Sequence, residues 1–339
     1  MIGVGLVGYG YWGPNLARNF AAQPDCVLAA ICEKNPVRAE LARRHFPAAR
    51  VSAEVQPLLA DPSIQAMLIA VPVSAHFELA RQALEAGKDV LVEKPLTASV
   101  AEARELIKLA ERRGRLLAVD HTFLFTGAVQ KIKQLVASDA LGKIIYIDSV
   151  RINLGLFQHD VNVIYDLAPH DLAIVSHLVG VEPLSVQAVG KSHGGDSLES
   201  IAYVHLEFPD DLIAHFHFNW LAPVKIRRTV IGGTRQMIVY DDMEPSEKVK
   251  VYDKGVVITQ GDIDSIYKVI VDYRTGDMVA PKLSPHEALA AEARHFLDCV
   301  RTRSQPLADG RAGLRVVRLL EAAQASLRGQ GRRVMLESA

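Results

Sequence analysis

Short apolar runs alternate with segments of helical periodicity over the first 120 residues. Segments such as SAHFELARQALEAGK separate these runs. This alternation is typical of a parallel sheet with helices on both faces. We therefore predict an α/β, doubly wound Rossmann domain over residues 1–120. The runs are VLAAIC (27–32), AMLIAVP (66–72), DVLVEKP (89–95) and RLLAVDH (115–121).

The pattern changes after residue 120, where short turns separate strands and helical patterns appear around 162–179, 285–303 and 309–328. We predict a second, α+β domain over residues 121–339, built on an open, largely antiparallel sheet. It would bind substrate and hold subunits together. The predicted strands are GKIIYIDSVRINL (142–154), SIAYVHLEF (200–208), LIAHFHFNWL (212–221), RRTVIGGTRQMIVYDD (227–242) and KVKVYDKGVVI (248–258).

Strict alternation on one strand of this second domain suggests a half-polar sheet. His215, His217 and Asn219 share one face, while Phe216 and Phe218 share the other. A His-x-His pair could bind a metal, but no third ligand is evident from the sequence. We therefore predict no metal, and expect this outer face to pack against another subunit of a homo-oligomer.

Three glycines lie where the first strand turns into the first helix. Gly8, Gly10 and Gly13 follow the G-x-G-x-x-G pattern, with Tyr11 and Trp12 between the second and third. In this pattern the glycines permit a tight turn, close approach of a pyrophosphate, and close packing of helix on strand. The N-H groups at the helix start then favour an anion. The loop predicts a dinucleotide site.

A carboxylate about 20 residues further on is the second part of that pattern. Glu33 supplies it after the second strand. It would hold ribose hydroxyls and repel a 2'-phosphate, which predicts NAD with NADP less favoured. Lys34 and Arg38 lie close enough in sequence to weaken this preference, and an ordinary solvated strand end remains the alternative.

Two further groups could carry chemistry. Lys94 follows Glu93 at the end of a predicted parallel strand, where it could stabilise a developing alkoxide or be an ordinary surface lysine. Asp166 and His170 are four residues apart, expected in the first turn of an apolar helix, as is Pro169. They could form an oriented acid/base pair, or Asp166 could simply cap the helix.

Composition excludes several classes of protein. The 339 residues carry a net charge of −1, which offers no basic field for nucleic acid. No apolar stretch predicts a membrane span, and the N-terminus has no signal-peptide pattern. The three cysteines have no metal-type spacing. We expect a cytoplasmic enzyme that acts on a small molecule.

The segments GLVGYGYWGPNLARNF, IAVPVSAHFELA, EKP at 93–95 and the Asp-x-x-x-His at 166–170 resemble the glucose-fructose oxidoreductase, inositol dehydrogenase and rhizopine catabolism (Gfo/Idh/MocA) family. The resemblance covers the chain and implies an NAD-dependent sugar or polyol oxidoreductase. Two positions depart from the common pattern, Ala168 and Gly127. The resemblance further implies a catalytic set of Lys94, His170 and Asp166, a cis peptide at Pro95, and a cofactor site near Val71, Pro72, His76 and the EKP segment.

In the implied reaction, His170 takes a hydroxyl proton, Lys94 steadies the alkoxide and hydride passes to NAD. The nearest subset of the family oxidises nucleotide-linked sugars at C3, such as UDP-linked N-acetylhexosamines or their uronic acids. Alternatives are a dehydrogenase of a free polyol such as inositol, a sugar-nucleotide 3-ketoreductase, and a non-catalytic NAD sensor. A diphosphate needs cationic and amide groups, and the candidates are Arg151, Asn153, Asn162, Lys225 and Arg227.

Overall fold

The computed structural model describes residues 1–155, 161–193, 198–253, 256–257, 272–273 and 276–337. The chain forms two compact units. The first comprises Met1–Thr126 and His286–Glu321, and the second comprises Gly127–Pro285 and Ala322–Ala339. The boundary expected at residue 120 therefore differs from this division, because residues 286–321 return to the first unit.

The first unit is built on a parallel six-stranded sheet in the order β3-β2-β1-β4-β5-β6. This is the doubly wound arrangement that the alternating pattern predicted. Its strands are β1 (Ile2–Val7), β2 (Cys26–Cys32), β3 (Arg50–Ser52), β4 (Ala66–Ile69), β5 (Asp89–Glu93) and β6 (Leu117–Asp120).

Five helices connect these strands, and a 3-10 helix at Thr122–Phe125 follows β6. Two local signals fix the ends of the longest: Ser99 and Glu102 form a capping box at its start, and Gly114 ends it with a left-handed conformation. The helices are α1 (Gly13–Ala21), α2 (Pro36–His45), α3 (Gln56–Ala60), α4 (His76–Glu85) and α5 (Val100–Arg113).

The second unit contains a nine-stranded sheet in the order β16-β13-β12-β11-β7-β10-β9-β8-β17 and a two-stranded sheet of β14 and β15. Within the larger sheet only β7 and β10 pair in parallel. The strands are β7 (Ile144–Leu154), β8 (Ser185–Lys191), β9 (Ile201–Glu207), β10 (Ile213–Asn219), β11 (Leu221–Gly233), β12 (Met237–Asp241), β13 (Val249–Tyr252), β14 (Val256–Val257), β15 (Asp272–Tyr273), β16 (Met278–Val279) and β17 (Val334–Met335). Residues 254, 255 and 258 of the predicted 248–258 strand lie outside the described residues.

The alternation predicted for β10 is present in the structure. Phe216 and Phe218 are fully buried, while His215 and His217 lie on the opposite face. On that face the His217 ring stacks on Tyr203 of β9 with 4.5 Å between ring centroids. Within the described part of the chain, no group of three or more His, Cys, Asp or Glu side chains could hold a metal ion.

The second unit also holds α6 (Gly127–Ala137) and α7 (Val163–Val179), and α7 packs on β9 and β10. Asn162 caps α7 by accepting the N-H of Tyr165 at 3.2 Å. Pro169 is the seventh residue of this helix, and does not lie in the first turn as expected. The helix therefore starts earlier than the proline suggested, because the Asn162 cap sets its first turn.

Two C-terminal helices follow, α8 (Ala288–Thr302) and α9 (Gly310–Arg328). The apolar face of α8 packs in the core of the first unit, where Phe296 meets Phe20 of α1 edge-on with 6.2 Å between centroids. Arg18 of α1 also donates to both carboxylate oxygens of Glu287, which precedes α8. Among the helices of the described residues, none combines the length and the apolar character needed to cross a membrane.

Candidate active site

The glycine loop between β1 and α1 leaves no room for side chains at its first and third glycines. A Cβ on Gly8 would lie 2.2 Å from the carbonyl oxygen of Ala70, and one on Gly13 would lie 2.3 Å from that of Gly8. Gly8 also has a positive φ of 94°. At Gly10 the nearest atom to such a Cβ is Nη1 of Arg38, at 3.4 Å. The loop is therefore compact, and its middle glycine has the more open surroundings.

Glu33 at the end of β2 is held by the backbone of its neighbours. One carboxylate oxygen accepts the N-H of Tyr9 at 2.6 Å, and the other accepts the N-H of Asn35 at 2.7 Å. The carboxylate is thereby fixed beside the glycine loop, where a dinucleotide's ribose is expected. Arg38 on α2 is exposed and lies near Gly10, so a cation also faces this region.

Lys94 lies just beyond β5 and is half-buried, and the Lys94-Pro95 peptide is cis, as the resemblance implied. His76 at the start of α4 connects this segment to the end of β4. Its Nδ1 lies 2.8 Å from the Pro95 carbonyl oxygen, and its Nε2 lies 2.8 Å from that of Val71. Burial lowers the pKa of His76. Its ring thus joins two loops at the carboxyl edge of the sheet, while Pro72 beside them is exposed.

The two remaining loop residues differ sharply in exposure. Tyr11 is 92% exposed, while the half-buried Trp12 donates its indole N-H to Asp120 Oδ2 at 2.6 Å. Asp120 ends β6 and pairs in register with Glu93 of β5. Trp12 therefore links the glycine loop to the carboxyl ends of the last two strands.

His170 and Asp166 lie on α7 in the second unit, four residues apart and both half-buried. The indole N-H of Trp220, a fully buried residue between β10 and β11, donates to Asp166 Oδ2 at 3.0 Å. The carboxylate is thus oriented from the sheet. Asp166 and Trp220 are 54 positions apart, so no local sequence pattern predicted this contact.

Two of the five predicted diphosphate residues are buried and paired within the second unit. Arg151 is 4% exposed, and its guanidinium makes a bidentate pair with Asp171 at 2.6 and 2.9 Å. Asn162 is 3% exposed and donates to Glu199 and Gln324, both at 2.8 Å. Burial and local partners thus occupy polar atoms of both side chains, which gives each of them a structural role in this unit.

The other three candidates lie nearer the surface. Asn153 on β7 is half-buried, and Lys225 on β11 is exposed. Arg227, half-buried on β11, has its Nη1 3.3 Å from Asp242 Oδ2. Lys225 has the most exposed side chain of the three cationic candidates, Arg151, Lys225 and Arg227.

The first unit fits a dinucleotide. Its loop is tightly packed at Gly8 and Gly13 and more open at the middle glycine, which a pyrophosphate approaches; the start of α1 follows directly, and Glu33 is fixed at the second strand end. A profile of the oxidoreductase family with NAD-binding Rossmann fold matches residues 2–121, and one of the GFO/IDH/MocA C-terminal domain matches residues 129–239. The chain belongs to the Gfo/Idh/MocA oxidoreductase family.

Relatives in this family span nearly the full chain. UDP-N-acetylglucosamine 3-dehydrogenase of Acidithiobacillus ferrooxidans is 30% identical over 92% of this chain and 93% of its own. A solved structure of that dehydrogenase, GnnA, has a TM-score of 0.82 and 28% identity, covering 97% of this chain and 99% of that one. The scyllo-inositol 2-dehydrogenase (NAD(+)) of Bacillus subtilis is 26% identical over 91% of this chain and 87% of its own.

As a Gfo/Idh/MocA protein, the chain is an NAD-binding oxidoreductase. Three buried polar residues of its Rossmann unit were not foreseen from the sequence. Asp120 and His121 follow one another at the end of β6, and Glu292 lies on α8; each is 2% exposed. The only sequence signal was the polar pair Asp-His closing an apolar strand, and nothing pointed to Glu292 because α8 was assigned to the other domain.

Proposed function

We propose that this protein oxidises the C3 hydroxyl of a UDP-linked N-acetylhexosamine, or of its uronic acid, with NAD. The observation that carries this proposal is its similarity to a UDP-N-acetylglucosamine 3-dehydrogenase over both units. Lys94, Asp166 and His170, the residues proposed for catalysis, are all present.

In the proposed reaction His170 accepts the proton of the sugar hydroxyl as hydride leaves the same carbon. Asp166, oriented by the Trp220 indole, stabilises the imidazolium that results. Lys94 donates a hydrogen bond to the oxygen as negative charge develops there. NAD, when bound, supplies the hydride acceptor. The same groups serve ketone reduction in the reverse direction.

Binding of the UDP diphosphate requires cations, and we assign this role first to the exposed Lys225. Replacing Lys225 by alanine should raise KM for a UDP-linked substrate about tenfold, because a charge-assisted hydrogen bond is lost. Lys191 is an exposed lysine at the end of β8. Lys191→Ala is therefore the matched control and should leave KM unchanged.

A free polyol such as inositol is the second candidate substrate. The pairing of Arg151 with Asp171 favours it, since that arginine was a leading diphosphate candidate. Steady-state turnover with UDP-N-acetylglucosamine, its uronic acid, free inositol and glucose separates the two. Efficient use of free polyols, with Lys225→Ala equal to the native enzyme, would replace the nucleotide-sugar proposal by a polyol dehydrogenase.

A further inference from the structure

A chain of buried polar side chains joins α8 to the glycine loop inside the Rossmann unit. The hydroxyl of Thr122 lies within hydrogen-bonding distance of Asp120 Oδ1 and 2.8 Å from Glu292 Oε2. The other oxygen of Asp120 accepts the Trp12 indole N-H at 2.6 Å. Four residues from α8, the 3-10 helix, β6 and the loop before α1 thus form one continuous chain of contacts.

Each hydrogen bond in this series of contacts has one donor and one acceptor when Glu292 carries a proton. Burial raises the pKa of Glu292 well above its usual value, and the neighbouring carboxylates of Asp120 and Glu93 raise it further. Two carboxylates in one dry site cannot both be ionised cheaply. A neutral Glu292 donates to Thr122, the Thr122 hydroxyl donates to Asp120, and Asp120 remains the acceptor for Trp12.

Trp12 connects these buried polar contacts to the cofactor site. It is the residue directly before Gly13 and α1, and the loop here is so compact that Gly13 approaches the Gly8 carbonyl. An indole N-H can only donate, so Asp120 fixes the side chain of Trp12 in one orientation. The backbone N-H groups that come after Trp12, at the start of α1, favour a bound phosphate.

We propose that Glu292 is a positioning residue for NAD, acting through Thr122 and Asp120 to hold Trp12 and the glycine loop in the binding geometry. This inference rests on NAD binding and not on the proposed sugar substrate, so a wrong substrate leaves it intact. In this proposal Glu292 takes no part in hydride or proton transfer.

The test is the dissociation constant of NAD measured by calorimetry on the full chain without any sugar. Glu292→Leu should weaken NAD binding about tenfold, because Thr122 loses its partner and no longer holds Asp120 in place. Glu292→Gln should bind within about threefold of native, since its amide can still donate. Trp12→Phe should weaken binding to a similar degree, and the double variant Trp12→Phe/Glu292→Leu should be no weaker than either single variant.

A spectroscopic readout reports on Trp12 itself. The chain has two tryptophans, so 5-fluorotryptophan labelling gives two ¹⁹F resonances, assigned with Trp12→Phe. The Trp12 resonance should move in Glu292→Leu and stay in place in Glu292→Gln. Glu287→Gln, which breaks the contact between Arg18 and the start of α8, is the control and should leave that resonance unmoved.

Should Glu292→Leu fail to fold, a pH titration of the native chain, followed through the Trp12 resonance, keeps the test decisive. The ionisable groups that act on Glu292 are Asp120 on β6 and Glu93 on β5. The α1 helix packs on α8 and carries Arg18, whose guanidinium is paired with Glu287. The Trp12 resonance of the native chain should move as Glu292 loses its proton, and that of Glu292→Gln should not. Three results would overturn the proposal. The first is a Glu292→Leu variant with unchanged NAD affinity and only a lower Tm, and the second is additive losses of affinity in the double variant. The third is an identical pH titration of the Trp12 resonance in the native chain and in Glu292→Gln.

Discussion

Glu33 is the residue that should set the choice between NAD and NADP. Its carboxylate is fixed by two backbone N-H groups beside the glycine loop, where it would repel a 2'-phosphate. The exposed Arg38 lies near Gly10 and favours a phosphate. The expected preference for NAD over NADP therefore depends on two opposed charges.

Replacing Glu33 by alanine should narrow the preference for NAD over NADP, because repulsion of the 2'-phosphate is removed while Arg38 stays. The measurement is the ratio of kcat/KM with the two cofactors. Glu40→Ala, on the exposed side of α2, is the control and should preserve the native ratio. A native preference for NADP would contradict the role of Glu33.

His121 makes the Rossmann unit sensitive to acid. Neither of its ring nitrogens has a hydrogen-bonding partner among the residues that the structure describes. Burial lowers its pKa to about 3, helped by the charges of Lys94 and Arg315. Between these two pKa values, His121 is protonated in the unfolded chain and neutral in the folded chain. The stability of the fold therefore decreases as the pH drops from the pKa of the unfolded state towards that of the folded state.

Between about pH 7 and about pH 5, this group should cost the native chain about 2 kcal/mol of unfolding free energy. Over the same interval, the unfolding free energy of His121→Leu should fall by about 2 kcal/mol less than that of the native chain. Urea unfolding at both pH values measures this difference. The exposed His193→Leu is the control and should follow the native curve. Equal acid sensitivity in His121→Leu would show that the imidazole is protonated in the fold.

Among the elements, the residues proposed for catalysis follow β5 and lie on α7. Lys94→Ala or His170→Ala should lower kcat by roughly 100-fold or more with UDP-N-acetylglucosamine, because each group acts mainly in the transition state. Calorimetric NAD binding should stay at the native level. Normal turnover by His170→Ala would require another proton acceptor.

The strands were largely predictable because their apolar runs and alternation depend on local sequence. The runs at 66–72 and 89–95 became β4 and β5, and the Asp166 and His170 pair fell on one helix as its spacing required. The placement of α8 was not predictable. An amphipathic helix shows that one face is buried, but the partner, here Phe20 of α1, is set by tertiary packing.

The same limit applies to Arg151. Alternation identified its strand face, but only the fold brings Asp171 from α7 within 2.6 Å of its guanidinium. Similarly, Glu292 and Asp120 are 172 positions apart in sequence numbering, and their buried contact through Thr122 has no local signature. Residue types and spacing therefore predicted the motifs, while long-range pairing decided which polar side chains are structural.

For the whole molecule, we expect a homo-oligomer formed through the outer face of the nine-stranded sheet. Tyr203 on this face is 40% exposed and stacks with His215 and His217. Such a face can pair with its own copy about a two-fold axis. Light scattering of the native chain should give a multiple of the 37.1 kDa chain mass, and Tyr203→Asp should shift it towards the monomer. A monomeric native chain would contradict this expectation.

In the proposed reaction, hydride leaves C3 of a UDP-linked N-acetylhexosamine and is accepted by NAD. The decisive experiment supplies UDP-N-acetylglucosamine deuterated only at C3 and follows the label by mass spectrometry of the reduced cofactor. We expect one deuterium in each NADH formed, together with a slower reaction than with the unlabelled sugar. Reduced cofactor without deuterium, or no reduction of NAD while free inositol is oxidised, would contradict it.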